Sequence, residues 1–503
     1  MYSSERTVEE VASLCPECGE RVPSLIVERD GKVYQRSQCL AHRATETLIF
    51  SDSSLYRKLD AWNKLIFADA ESAALSGDGD SGSANGPTLA VIDITNRCNY
   101  HCPLCFAETT SRSSYYYLSL EVVREMLASL LARTPVPCRH VQFSGGEPTL
   151  HPEFPRILHL ARDMGFTHIQ AATNGSRFVD PDYTALCEEM GLQTLYLQFD
   201  AMSDEIYLKL RGQRLLDKKI AAVDNVAKTN MRIVLVPTIV ASVNVDQIRP
   251  IFEFALECST HITGISMQPA ADIGRVRLDA GQERPAPFNL ADMAMEFGKQ
   301  TGLTHCPADW FPLNAVSMIT QGLGRLRGEL LPSPACDAHC SLGTYFHIDE
   351  RNKPVCITRF LDLDRFLRMV GQIAPAKTNG GVWQRISRLW QLKLLSGCFD
   401  NQAAPEGMTF ERLLRGLEGW EDKSVGRAPG WSRTGFNGMF VAGMHFMDAR
   451  NYNFRRLKRC IVQYVTTGRQ VIPFCSYNGG ARLRNAEELT RLEATAEPAG
   501  ARA

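Results

Sequence analysis

The sequence predicts an α/β fold: a partial (β/α)6 TIM-like barrel with a small N-terminal metal-binding lobe and a cysteine-bearing C-terminal lobe. Three observations predict it. From Leu89 onward, six short apolar segments alternate with helical ones. The first 50 residues carry a C-x2-C pair and a C-x2-H pair. The last third loses the alternation but holds further paired cysteines.

Taken in order, residues 1–50 hold "CPEC" and "CLAH" around the β-like "SLIVERDGKVYQR" and form the metal lobe. Residues 51–88 supply a helix and then "SGDGDSGSANGPT" (Ser76–Thr88), whose Gly/Ser/Asp composition reads as a flexible linker. The barrel is expected over 89–285. Its strands are "LAVIDIT", "HVQF", "HIQAA", "LYLQF", "RIVLVPTIV" and "ITGISMQ", separated by helical stretches such as "LEVVREMLASLLA" and "FPRILHLARDM". Such alternation gives parallel βαβ units with right-handed crossovers, whose functional loops lie at the C-terminal strand ends. Residues 286–482 make the C-terminal lobe, and 483–503 a polar tail.

Composition bounds the function. A chain of 503 residues exceeds one ordinary core. Its 44% hydrophobic and 22% charged residues are those of a globular protein, and a net charge of −1 gives no case for nucleic acid. No apolar run is long enough to span a bilayer. The polar, acidic N-terminus is neither a secretory nor a transit signal, so a cytoplasmic protein is expected. Sixteen cysteines in such a chain point to metal or catalysis rather than disulfides.

The densest set is "RCNYHCPLCF" after the first strand. Cys98, Cys102 and Cys105, spaced C-x3-C-x2-C, can ligate three irons of a 4Fe–4S cluster. The fourth iron then stays open, as a catalytic centre needs. Its natural occupant is a small molecule chelating through an amine and a carboxylate. The competing reading is a structural zinc completed by His101 or a distant thiol. "SGGEP" (Ser144–Pro148) follows the second strand; Gly145 and Gly146 let the backbone approach a ligand, and Glu147 can accept from an amine. "TNG" follows the third strand on the same rim.

C-x3-C-x2-C after one strand and GGEP after the next resemble the radical S-adenosylmethionine (radical SAM) superfamily, over about 89–270. The resemblance implies SAM on the open iron, a 5′-deoxyadenosyl radical that abstracts hydrogen, and an electron donor such as ferredoxin or flavodoxin. It implies that Gly145, Gly146 and Glu147 hold SAM, and places Asn174, Asp200 and Ser242 near its polar groups. Asp200 faces either SAM or substrate; the plainer alternative for all three is a residue tying down a strand end.

Cys15, Cys18, Cys39 and His42 have the spacing of a tetrahedral site for zinc or a rubredoxin-like mononuclear iron. Cys336 with Cys340, and Cys460 with Cys475 across an expected hairpin, read as ligands of an auxiliary 4Fe–4S cluster or as buried thiols. Cys306 and Cys356 could serve a further cluster. Cys138, Cys187 and Cys258 read as core, and Cys398 as either.

The N-terminal lobe, "TNRCNYHCPLCFAET", "LYLQFDA" and "GMHFMDARNYNFRRLKRCIVQYVTTGRQVIPFCSYN" resemble the radical SAM group that includes the archaeal tetraether lipid synthase. That resemblance implies carbon–carbon coupling of unactivated alkyl-chain ends of membrane lipids, with two SAM per bond. A lipid or long alkyl-chain substrate fits "GVWQRISRLWQLKLL" (Gly381–Leu395), an amphipathic stretch suited either to peripheral contact at the inner face of the membrane or to ordinary core packing. "RRLKR" (Arg455–Arg459) reads as headgroup contact or solvated charge. Two alternatives stand beside lipid coupling: a radical SAM maturase of a peptide or cofactor precursor, and a non-catalytic iron–sulfur electron carrier or sensor.

Overall fold

The computed structural model describes residues 5–68, 86–107, 115–276, 287–349, 351–373, 393–418 and 437–480. The linker up to residue 85, the polar tail and most of the Gly381–Leu395 stretch lie outside the described residues.

The N-terminal lobe is an antiparallel sheet of β1 (Arg6–Leu14), β2 (Arg21–Arg29), β3 (Lys32–Ser37) and β4 (Thr45–Phe50), in sequential order. Asp30 and Gly31 between β2 and β3 both take positive φ, 52° and 73°. That backbone matches the twist of a tight hairpin. Asp52 then caps the helix Ser53–Phe67 by accepting from the Leu55 amide. Ile26, Val33 and Phe50 of the lobe, with Leu55 and Leu59 of the helix, enter the same apolar core as the barrel strands.

All six barrel strands form where the alternation predicts them. They are β5 (Leu89–Thr95), β7 (His140–Gly145), β8 (His168–Thr173), β9 (Thr194–Gln198), β10 (Arg232–Val236, continued by β11, Thr238–Ile239) and β12 (Ile262–Pro269). The two-residue β6 (Leu104–Cys105) lies in the cysteine loop after β5. The six pair in parallel in the order β5-β7-β8-β9-β10-β12. Their near-continuous apolar sequences follow from burial on both faces.

The C-terminal third adds strands that the sequence pattern did not assign. After β13 (Arg275–Val276), which pairs with β6, come β14 (Phe311–Pro312), β15 (Ser341–Ile348), β16 (Pro354–Cys356), β17 (Asn437–Met444), β18 (Val462–Val465) and β19 (Val471–Pro473). All six of these later strands belong to the barrel sheet, which has 13 strands among the described residues. β17 lies parallel beside β12, and β15 antiparallel beside β17. At the other edge β18 lies parallel beside β5 and turns back into β19. Strands of the C-terminal lobe expected over 286–482 therefore extend the barrel sheet at both edges, while a second apolar cluster lies largely within that lobe. Covering those edges satisfies backbone groups that six strands alone would leave open.

Candidate active site and metal centres

Cys98, Cys102 and Cys105 sit half-buried on the loop leaving β5. Burial, with the Glu147 charge beside it, pushes the Cys98 thiol up to about 12. Burial raises Cys102 too, and the Arg211 guanidinium opposes it. Thiols of this kind are poor free nucleophiles, and become thiolates when a cation is bound. His101, the alternative fourth ligand for zinc, points out to solvent.

The GGEP loop is built against the cysteine loop. Gly145 has φ of 130°, and a Cβ there would strike the Thr95 carbonyl; one on Gly146 would strike the Arg97 carbonyl. The Gly146 amide donates to Thr95 O at 2.9 Å and the Glu147 amide to Arg97 O at 2.7 Å. The close approach foreseen for these glycines is thus made first to the protein's own backbone. Glu147 is buried, and its carboxylate accepts from Thr149 Oγ1 (2.6 Å), Thr173 Oγ1 (2.7 Å) and the Asn174 amide (2.7 Å). Desolvation raises its pKa and these donors hold it down. Asn174 Nδ2 donates to Asn99 Oδ1 at 2.9 Å, tying the third rim loop to the cysteine loop.

Asp200 and Ser242 lie in contrasting surroundings. Asp200 is fully buried. Its carboxylate takes a fork from Arg211 (Nε 2.6 Å, Nη2 2.9 Å), the Thr238 amide at 3.0 Å and the Gln198 side chain. A carboxylate offers about four lone-pair sites, and these donors occupy them. Ser242 is exposed on its turn. The residue that organises that turn is the buried Asn244, which receives the Val240 amide at 2.8 Å and donates to Asp200 O and Thr238 O at 3.0 and 2.9 Å. Arg211, Asn244 and Lys219 were not foreseen as site residues. The buried Lys219 ammonium donates to Asn174 O and Gln198 Oε1, both at 2.6 Å, and burial lowers its pKa to about 7.

The N-terminal quartet converges: ligand atoms of Cys15, Cys18, Cys39 and His42 all lie within 4.8 Å of one another. His42 pulls the Cys39 thiol down to about 6, which favours the thiolate a metal takes. Cys336, Cys340, Cys460 and Cys475 also gather. Cys460 feels the charges of both Cys475 and Cys340, and Cys336 those of Cys340 and Cys460. Arg456 Nε donates to Cys340 Sγ at 3.4 Å, and the Met447 amide to Cys475 Sγ at 3.4 Å. Cys356 instead lies buried between Thr344 and Thr358 hydroxyls at 3.3 and 3.2 Å, and Cys306 lies beside Asp52 and Lys58. Cys138 and Cys187 are core, Cys258 is half-buried against it, and Cys398 is buried in a second apolar cluster.

Residues 92–255 match the radical SAM superfamily model, and residues 7–51 match the HMPTM N-terminal zinc ribbon domain. A curated relative, 7,8-dihydro-6-hydroxymethylpterin dimethyltransferase of Methanocaldococcus jannaschii, is 32% identical over 478 residues. These are 93% of this chain and 92% of that one. The chain belongs to the radical SAM superfamily. As a radical SAM enzyme it uses a 4Fe–4S cluster and SAM, and its ribbon is a metal site. The GTP 3′,8-cyclase of Chlorobaculum tepidum is 29% identical over 42% of this chain and 63% of its own length. Among solved structures, Streptococcus suis SuiB bound to precursor peptide SuiA aligns over 50% of this chain and 58% of its own, at 15% identity and a TM-score of 0.36.

The expectation of lipid-chain coupling finds no support: the relative that spans the chain is a pterin methyltransferase. The "RRLKR" stretch is likewise not a headgroup patch. Arg455 pairs with Glu9 and Asp337, Arg456 is buried, and Arg459 pairs with Asp337 at 3.1 Å. No helix among the described residues is long and apolar enough to cross a membrane.

Proposed function

We propose that this radical SAM enzyme methylates a reduced pterin, as a step in building a pterin cofactor. The observation that carries the reading is the reach of the match to the M. jannaschii dimethyltransferase, over 93% of the chain. It therefore spans the ribbon, the barrel and the C-terminal strands together, and not only the segment common to the superfamily. This is the cofactor-precursor alternative of the sequence reading, with the substrate class made specific.

Cys98, Cys102 and Cys105 hold the cluster in this reading, and SAM lies against the rim made by Gly145–Glu147 and Asn174. When reduced, the cluster supplies the electron that cleaves SAM. The chain's residues do the positioning. Glu147 locks the second rim loop to the third, and Asn174 locks the third to the cysteine loop. Cys336, Cys340, Cys460 and Cys475 hold a second cluster, and the N-terminal ribbon holds zinc.

The test is a comparison of pterins and hydrolysed lipids, by mass spectrometry, from anaerobic cells with and without the gene. A gene-dependent pterin heavier by one or two methyl groups, with unchanged lipids, supports the proposal. Unchanged pterins together with a lipid two hydrogens short of its separate chains would contradict it and restore alkyl coupling.

A further inference from the structure

A network of polar side chains, buried at its centre and exposed at Asn99, bonds two points of the three-cysteine loop. Its centre is the Asp200–Arg211 pair, with side-chain exposures of 0% and 9%. Arg211 Nη1 donates to Leu104 O at 2.8 Å, between Cys102 and Cys105, and Nη2 also reaches Thr238 Oγ1 at 3.0 Å. From Asp200 the network runs through the Gln198 side chain to Lys219, and from Lys219 to the Asn174 carbonyl. The Asn174 side chain carries it to the exposed Asn99, between Cys98 and Cys102. Both halves of the loop are therefore held by one hydrogen-bonded network.

A buried ion pair is a poor source of net stability, because desolvating both charges offsets most of their attraction. What a fixed cation at this place adds is charge and donors next to thiolates. Net charge and hydrogen bonding around the sulfurs set the reduction potential of an iron–sulfur cluster. The guanidinium bonds the cysteine loop itself through Nη1 to Leu104 O, while its Nε and Nη2 carry the Asp200 carboxylate.

We propose that Arg211, oriented by Asp200, is a positioning residue for the catalytic cluster: it holds the Cys102–Cys105 arm and makes the cluster easier to reduce. This rests on the reading of Cys98, Cys102 and Cys105 as ligands, and does not depend on the pterin. The reduction is a one-electron step, supplied in the test by dithionite.

The experiment is a potentiometric EPR titration of reconstituted full-length enzyme, following the signal that changes on adding SAM, with iron content and melting temperature measured alongside. The double variant Asp200→Asn/Arg211→Gln removes both charges while keeping donors and acceptors. It is expected to fold, to bind iron and to show a midpoint potential shifted negative. An unshifted potential at equal iron content overturns the electrostatic part. Arg211→Lys keeps the charge and loses the fork. It is expected to keep the wild-type potential but release iron faster to a chelator, and wild-type iron retention overturns the holding part. A wild-type protein with no SAM-responsive signal would instead overturn the ligand reading on which the proposal rests.

Discussion

At the scale of single residues, the site depends on close approach and on paired buried charge. Gly146→Ala puts a methyl group into the Arg97 carbonyl. The expected cost is about 1–3 kcal/mol, the range for overpacking. It should appear as a lower melting temperature and reduced iron loading in the same variant. Asp200→Ala leaves the buried Arg211 guanidinium without its partner, and loss of one member of such a pair costs about 3–5 kcal/mol. Denaturant titration of the variant measures it; a change under 1 kcal/mol would show that the pair is not buried in solution. The sequence made Glu147 and the three cysteines legible because short motifs carry them. It did not mark Arg211 or Lys219. "YLKLRG" and "LDKKIAAV" have the charge spacing of ordinary helix surfaces, and periodicity cannot tell which cation turns inward. The weak signal that was available is an acid at a strand end followed, across one βα turn, by an arginine just before a glycine.

At the scale of elements, the six parallel strands were readable because each is a short apolar run ended by turn residues. β15, β17 and the β18–β19 hairpin belong to the same sheet but were not assigned to it, since pairing over hundreds of residues leaves no local pattern. One consequence is measurable on β15. His347 is buried there, and burial lowers its pKa to about 4. The unfolded chain takes up a proton below about 6.5, the folded one only below about 4. Stability from this group is complete above about 6.5 and is lost as pH falls toward 4, by up to about 1.4 kcal/mol per pH unit. Melting curves from pH 7.5 to 5 should show that fall, and His347→Gln should make it shallower, with the buried His445, lowered to about 3, supplying part of the remainder. A second consequence lies on β18. Ending the chain at Arg459 exposes the β5 edge, and is expected to give insoluble protein rather than a working barrel.

At the scale of the whole molecule, the ribbon and the second cysteine group are parts of one construction. Leu14, next to Cys15, packs with Met447, Tyr452, Leu457 and Cys475. Gln35 Nε2 donates to Tyr452 O at 2.9 Å, and Glu9 meets Arg455. Asn63 Oδ1 receives the Ala338 amide at 2.8 Å, inside the loop between Cys336 and Cys340. Metal binding is folding energy for a small lobe. Cys39→Ser is therefore expected to lose the N-terminal metal and, with it, part of the iron held by the C-terminal cysteines, while Cys98, Cys102 and Cys105 keep theirs. Elemental analysis with EPR separates the pools, and full C-terminal iron without N-terminal metal would show that the lobes are independent. The sequence offered Cys336, Cys340, Cys460 and Cys475 as one group from their pairing, but gave no sign of their contacts with the ribbon, which are made by side chains far apart in sequence. The most direct measurement of the central claim is anaerobic incubation of the cluster-loaded enzyme with dithionite, methyl-labelled SAM and 7,8-dihydro-6-hydroxymethylpterin, read by mass spectrometry. Pterin carrying one or two added methyl groups, absent with Cys102→Ala, is the predicted result; SAM cleavage with the pterin recovered unmethylated would contradict it.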